Sequence, residues 1–284
     1  MHRRIAVVLP ALLLLAGCTA HVGEAQLLRP VAGGALNAEA LARAAPAYSA
    51  SDQWIVAPDG VRLSGVLLRQ PGARATILYF GGNGYTIGRF GAWTASIFAP
   101  LGVDLMIVDH RGYGRSEGRP TQANLEADGV AAFDHLSRVA GVDPARIIVH
   151  GQSLGSFIAG HVAAERPAAG VVLESSATTT EEWVAANLRG ARALFVHAEI
   201  DPALRGRGNL ANMTRIEEPV LLLVGAADRT TPPGLSEALY AASPLPSRRK
   251  TLGIVPRAGH NDVLLQPEAI AAYRAFLNAA LADR

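Results

Sequence analysis

The chain of 284 residues has a single cysteine, so no intramolecular disulfide can staple it. Charge is sparse at 18%, and the formal net charge of +2 has no basic stripe behind it, which argues against nucleic acid as a partner. There is no H-E-x-x-H pair and no clustered set of His, Cys, Asp and Glu, so neither a metal nor any other cofactor is expected. Internal repeats and low-complexity tracts are missing. No apolar run is long enough to cross a bilayer: the longest, Ile5 to Ala16, has 12 residues. What remains is a chain that is 50% hydrophobic, long enough to bury one substantial core without covalent help.

The apolar run at the start has a different use. Arg3 and Arg4 precede it and Leu15-Ala16-Gly17-Cys18 closes it, the arrangement of an export signal. Small residues ahead of a cysteine resemble the bacterial lipobox, in which the signal (1–17) is removed and Cys18 is lipidated. An ordinary secretory signal or an uncleaved anchor are the alternatives. Cleavage would leave 24 basic against 24 acidic residues. The expected location is the bacterial cell envelope, lipid-anchored and facing the periplasm, with Thr19 pointing to the outer membrane. Residues 18–50, Ala-rich with scattered Gly and Pro, read as a tether with a short helix around Asn37 to Ala45. The domain proper is expected over 51–284.

From Trp54 onward, apolar β-branched runs alternate with helical periodicity. Asp59-Gly60 between two β-rich runs predicts a hairpin. Thr76–Phe80, Val103–Val108, Gly170–Leu173, Pro219–Val224 and Lys250–Val255 read as strands. Ile87–Phe98, Thr121 to about Val139 and Glu268–Leu281 read as helices. The fold class is therefore α/β, a mainly parallel doubly wound sheet. Residues 176–218 interrupt the alternation and are expected to form a short helical lid. Within it, Thr178-x-x-Glu181 is a possible capping box, and Ala191–Val196 a second helix; no strand is evident.

The most informative stretch is Arg146–Glu165. A buried strand, Ile147–Val149, runs into Gly151-Gln152-Ser153-Leu154-Gly155, and a helix follows at once. Small residues two before and two after the serine let strand and helix backbones approach, which lifts the hydroxyl clear of the sheet. A second G-x-S-x-G, Gly114–Gly118, lies in a polar loop with Pro120 behind it, so Ser116 reads as a turn serine.

A serine nucleophile needs a base, and the base needs an orienting acid. Asp228 follows the strand PVLLLV. His260 lies in a Gly-flanked loop after the last strand and is the only histidine beyond Asp228. Glu174 is an alternative acid, and Asp228 could instead cap a local turn; Asp262 reads as a turn residue. His135, His161 and His197 fall on helical stretches, and His110 and His150 abut strand ends. Backbone N–H groups of Leu154 and Asn83 are the expected oxyanion donors.

The blocks TILYFGGNG, DHRGYGRSEGRPT, IIVHGQSLG, LLLVGAADRTTPP and AGHND, in this order, resemble the α/β-hydrolases. The likeness is to the abhydrolase-domain and serine-aminopeptidase-like branch, over roughly residues 54–282. The resemblance implies the α/β-hydrolase fold, the order Ser153, Asp228, His260, and hydrolysis of an ester or thioester through an acyl-enzyme. A serine exopeptidase and a catalytically silent envelope partner are the rivals. It also implies that Trp183, Leu188, Leu194 and Phe195 of the lid line an apolar acyl pocket, or simply pack the insert onto the sheet. One departure stands out: the family usually has histidine where this chain has Gly81.

Overall fold

The computed structural model describes residues 18–188 and 196–282. Eight strands form the central sheet: β2 (Ser49–Val56), β3 (Arg62–Arg69), β4 (Thr76–Phe80), β5 (Asp104–Val108), β6 (Ile147–Gln152), β7 (Gly170–Glu174), β9 (Val220–Gly225) and β10 (Lys250–Val255). Their order is β10-β9-β7-β6-β4-β5-β3-β2. Pairing is parallel from β10 to β5, and antiparallel between β5 and β3 and between β3 and β2. The predicted hairpin joins β2 to β3. Every residue of β4, β6, β7 and β9 is buried, which explains their unbroken apolar runs: helices cover both faces, leaving no solvent side to mark with polar residues.

One face carries α3 (Ile87–Phe98) and the C-terminal helix α9 (Pro267–Ala282). The other carries α4 (Gln122–Arg138) and α5 (Leu154–Glu165), with α8 (Pro233–Ala242). Thr121 caps α4, accepting from the Asn124 N–H at 3.2 Å while the Asn124 side chain accepts from the Thr121 N–H.

The insert departs from expectation. Helix α6 (Thr180–Asn187) is capped by Thr179, one residue later than read from sequence, with the Glu182 N–H donating to its hydroxyl. Thr178 is buried instead and caps nothing. A strand does occur here: β8 (Val196–Ile200) pairs in parallel with β1 (Cys18–Val22), so His197 sits on a strand rather than a helix. The short helix α7 (Asn209–Met213) follows. The proposed Ala191–Val196 helix falls on 191–195, outside the described residues, and Val196 opens β8.

Residues 18–50 are not a loose tether. After the short helix α1 (Glu24–Leu27) and before β2 comes the expected short helix, α2 (Ala38–Ala44), capped by Asn37. Leu28, Leu41, Ala45 and Tyr48 are all buried in the domain core. Between α1 and α2 the chain crosses the rim at the carboxyl ends of β4 and β5. The Gly114 N–H donates to the Val31 carbonyl at 2.8 Å, and the Gly33 N–H to the Gly114 carbonyl at 3.0 Å.

Candidate active site

Strand β6 ends at Gln152 and α5 begins at Leu154, so Ser153 alone makes the turn. Its backbone sits at φ 52° and ψ −115°, a conformation side chains rarely adopt. Neighbours enforce it. A Cβ on Gly155 would lie 2.0 Å from the Phe80 carbonyl oxygen, and one on Gly151 2.0 Å from the Gly155 oxygen. The glycines flanking the serine are thus required by backbone contact. The Ser153 N–H donates to the Glu174 carbonyl at 2.9 Å, tying the turn to β7.

The loops after β9 and β10 supply the partners. His260 Nδ1 lies 2.8 Å from Asp228 Oδ2, and His260 Nε2 lies 2.9 Å from Ser153 Oγ. With Nδ1–H donated to the carboxylate, Nε2 is left to accept the serine proton. Asp228 is buried, and burial alone would raise its pKa. The His260 hydrogen bond, the Thr231 backbone N–H and the Thr231 hydroxyl outweigh that and hold it below the ordinary carboxylate value. Its Oδ1 accepts from the Thr230 and Thr231 N–H groups at 2.8 and 2.9 Å. Asp262 holds the histidine loop, accepting from the Gly259 N–H at 2.6 Å.

Thr231 was not foreseen from sequence. Its Oγ1 lies 2.8 Å from Asp228 Oδ2, 3.0 Å from the Ser175 carbonyl and 3.2 Å from His260 Nδ1. It therefore braces the acid and the imidazole together. The loop ASP-x-x-THR after a buried strand was visible in the sequence, but nothing in it said where the hydroxyl would turn. Gln152 was likewise missed. Its amide donates to the His260 carbonyl at 3.2 Å and to Asn261 Oδ1 at 3.3 Å.

Among the described residues the Leu154 and Asn83 N–H groups have no protein acceptor, and both residues line the cavity above Ser153. Gly82 abuts the nucleophile: a Cβ there would lie 3.5 Å from the Ser153 Cβ. The place of the absent histidine is filled by a ring. A Cβ on Gly81 would lie 2.2 Å from Tyr85 Cγ, so no side chain fits. His110 stiffens the loop instead. Burial lowers its pKa, so the neutral ring can donate from Nε2 to the Gly81 carbonyl, 2.7 Å away.

The Asn83 side chain is gripped from the N-terminal side. Its Oδ1 accepts from the Arg29 N–H at 3.0 Å and the Tyr113 hydroxyl at 2.8 Å, while its Nδ2 donates to the Leu27 carbonyl. The crossing 26–33 is thus a strap latched to the loop that follows β4.

The other candidates separate cleanly. Glu174 does not serve His260; it pairs with His150, Oε2 to Nε2 at 3.1 Å. Ser116 is structural, donating to the Asp109 carbonyl at 2.7 Å and accepting from the Ser64 N–H at 2.8 Å. Trp183 lines the cavity and donates from Nε1 to the Thr230 carbonyl at 2.9 Å. Leu188 is absent from the lining, and Leu194 and Phe195 lie outside the described residues.

The cavity encloses about 900 Å³. Leu27, Leu28 and Val31 of the strap form one wall, Phe90, Trp93 and Ile97 of α3 another, and Phe157, Trp183 and Leu204 a third. Val31, Trp93 and Leu265 stay exposed at 42, 43 and 53%, giving the mouth an apolar rim. The arrangement can hold an acyl group, deliver a serine oxygen to its carbonyl, and return a proton to the leaving group.

A family model described as serine aminopeptidase S33 matches residues 71–209. An uncharacterised protein of Mycobacterium tuberculosis is 38% identical over 165 residues, 57% of this chain and 54% of that one. The chain spans about half the length of the curated relatives it first matches. Human alpha/beta hydrolase domain-containing protein 17B is 28% identical over 225 residues, 79% of this chain and 74% of that protein. Among solved structures, the Pyrococcus furiosus esterase Pf2001 superposes with a TM-score of 0.70 at 18% identity, covering 88% of this chain and 98% of that one. An acetyl xylan esterase from Paenibacillus gives 0.64 at 18% identity, over 81 and 84%. With the wound sheet, the elbow and these structural matches, the chain has the α/β-hydrolase fold.

Proposed function

We propose that the protein is a serine hydrolase that cleaves carboxylic esters or thioesters through an acyl-enzyme on Ser153. The observation that carries the reading is the continuous chain Asp228–His260–Ser153, at 2.8 and 2.9 Å, beneath a largely apolar cavity. In this reading His260 takes the serine proton as Oγ attacks the acyl carbon. The proton then goes to the leaving alcohol or thiol as the carbonyl reforms. Water repeats the cycle and frees the acid. The Leu154 and Asn83 N–H groups hold the oxyanion, each contributing on the order of 3 kcal/mol in the transition state. Thr231 keeps the imidazole in the productive tautomer. The esterases among the structurally similar proteins are consistent with this choice of bond. The description of the matching family favours a second reading, release of N-terminal residues from peptides.

A panel of short p-nitrophenyl esters beside aminoacyl-nitroanilides tests both. The esters are expected to be cleaved and Ser153→Ala to abolish it. Cleavage of the anilides alone would move the protein to the second reading, and retained activity in Ser153→Ala would remove the first. The same proposal puts the mature protein in the bacterial envelope, facing the periplasm on a lipid attached to Cys18, supported by the basic, apolar and small residues ahead of it. Metabolic labelling with a fatty-acid analogue, lost in Cys18→Ser, is the expected result; unchanged labelling would refute it.

A further inference from the structure

The triad leaves three buried polar groups below it unused: Tyr79, His150 and Glu174. They share one face of the sheet. Tyr79 is opposite His150, and Gln152, next to the nucleophile, is opposite Glu174. Tyr79 and His150 therefore lie one two-residue step, roughly 7 Å, beneath the level of Gly81 and Gln152. Aromatic rings enclose them: Tyr79 packs on Tyr85 with ring centres 5.6 Å apart, on Phe98 at 5.7 Å and on His150 at 5.2 Å.

Hydrogen bonding around this cluster is complete except at two points. His150 is satisfied at both nitrogens, by Tyr273 at 3.1 Å and by Glu174 Oε2 at 3.1 Å. The other buried tyrosines, Tyr48, Tyr85, Tyr113 and Tyr273, all have paired hydroxyls. Glu174 Oε1 has no partner among the described residues, and neither has the Tyr79 hydroxyl. Both residues are about 95% buried, at 4 and 5% exposure, and both line the catalytic cavity. Burial pushes the Tyr79 phenol well above its ordinary value, so it keeps its proton and remains a donor. The cavity lining thus includes one carboxyl oxygen without a protein partner and one phenol that can donate.

A methyl terminus would leave both unpaired, and an ammonium could only donate. A hydroxyl does both, giving its proton to Glu174 and accepting from Tyr79. We propose that this part of the cavity wall is an acyl-recognition subsite for chains bearing a hydroxyl group, so that the preferred substrates are esters of hydroxy acids rather than plain alkanoates. The proposal rests on the acyl-enzyme reading above, because Ser153 lines the same cavity.

The test uses the full chain and one leaving group. Plain and ω-hydroxy acyl esters from propanoyl to hexanoyl are compared by kcat/KM, with the acetyl ester alongside. The hydroxy ester of the matching length is expected to exceed its plain partner by about tenfold or more. Tyr79→Phe, which removes one oxygen, and Glu174→Gln, which keeps the shape, should each bring that ratio toward one. A ratio near one for every length in the wild type, a ratio unmoved by both variants, or a larger gain from ω-amino esters would overturn the subsite. Acetyl ester turnover that depends on Ser153 would leave the hydrolase reading standing in those cases. No turnover of any ester, with no phosphonate labelling of Ser153, would end both.

Discussion

Two acid–histidine pairs stand at the same sheet, one on its strands and one on the loops beyond them, and only one reaches a serine at the cavity. Asp228 with His260 and Glu174 with His150 have similar separations, 2.8 and 3.1 Å, and both acids are buried. The difference lies at the far nitrogen. His150 spends its second nitrogen on Tyr273, inside the core, and has no free position from which to move a proton. His260 spends its second nitrogen on a serine hydroxyl at the cavity. A dyad becomes a relay only when its outer nitrogen meets a reactant. The bare pairing in each case is ordinary stabilisation of a buried polar group.

Replacing each histidine is the sharpest way to break the comparison. His260→Ala should lower kcat by roughly a million-fold, measured on an acetyl ester, with a melting temperature close to that of the wild type. If activity survived, the two pairs would be equivalent and the distinction empty. His150→Ala should do the reverse, destabilising the fold by about 3–5 kcal/mol because Glu174 is left buried and unpaired. Denaturant unfolding measures that loss, and the folded fraction should still acylate at Ser153.

A smaller effect concerns the brace. Thr231→Val keeps the shape but removes the hydroxyl shared between Asp228 and His260. A loss of one buried hydrogen bond, about 1 kcal/mol, should appear as a several-fold fall in kcat with KM nearly constant. Ser116→Ala, in the decoy G-x-S-x-G, should leave kcat unaltered and cost only stability, about 1 kcal/mol.

The last expectation is a pH dependence. The folded pKa of Asp228 is depressed below its unfolded value of about 3.8. Its contribution to stability is therefore complete above that value and is lost as the pH falls through the depressed folded pKa. The stability gap between the wild type and Asp228→Asn should be widest near neutrality and should narrow below about pH 4. A gap that stayed constant to strongly acid pH would mean the carboxylate is not held in its charged form.

Much of this was legible in the chain itself, because the elements that frame the site are local patterns. The runs 76–80 and 250–255, the helix 87–98 and the strand–turn–helix around Ser153 coincide with their sequence readings. Asp228 and His260 followed from the order of strand ends. What escaped depends on contacts distant in sequence. Strand β8 has five residues of alternating exposure whose only partner among the described residues is β1, some 180 residues earlier. The strap has no periodicity, since what orders it is hydrogen bonding to Asn83, Tyr113 and Gly114 together with the single buried Leu28. Glu174 was weighed as a triad acid because a carboxylate at a strand end looks the same from sequence whichever histidine it meets.

The strap has a consequence for how the protein comes off the ribosome. Its residues are among the first of the described chain to emerge, yet the side chain that latches them, the lid strand that pairs with β1 and the imidazole at 260 are made progressively later. No nascent fragment lacking the final loop can hold a complete triad. Catalysis through Ser153, as proposed, therefore waits for the loop that carries His260, and a ribosome stalled before residue 260 would display a chain whose Ser153 has no imidazole beside it.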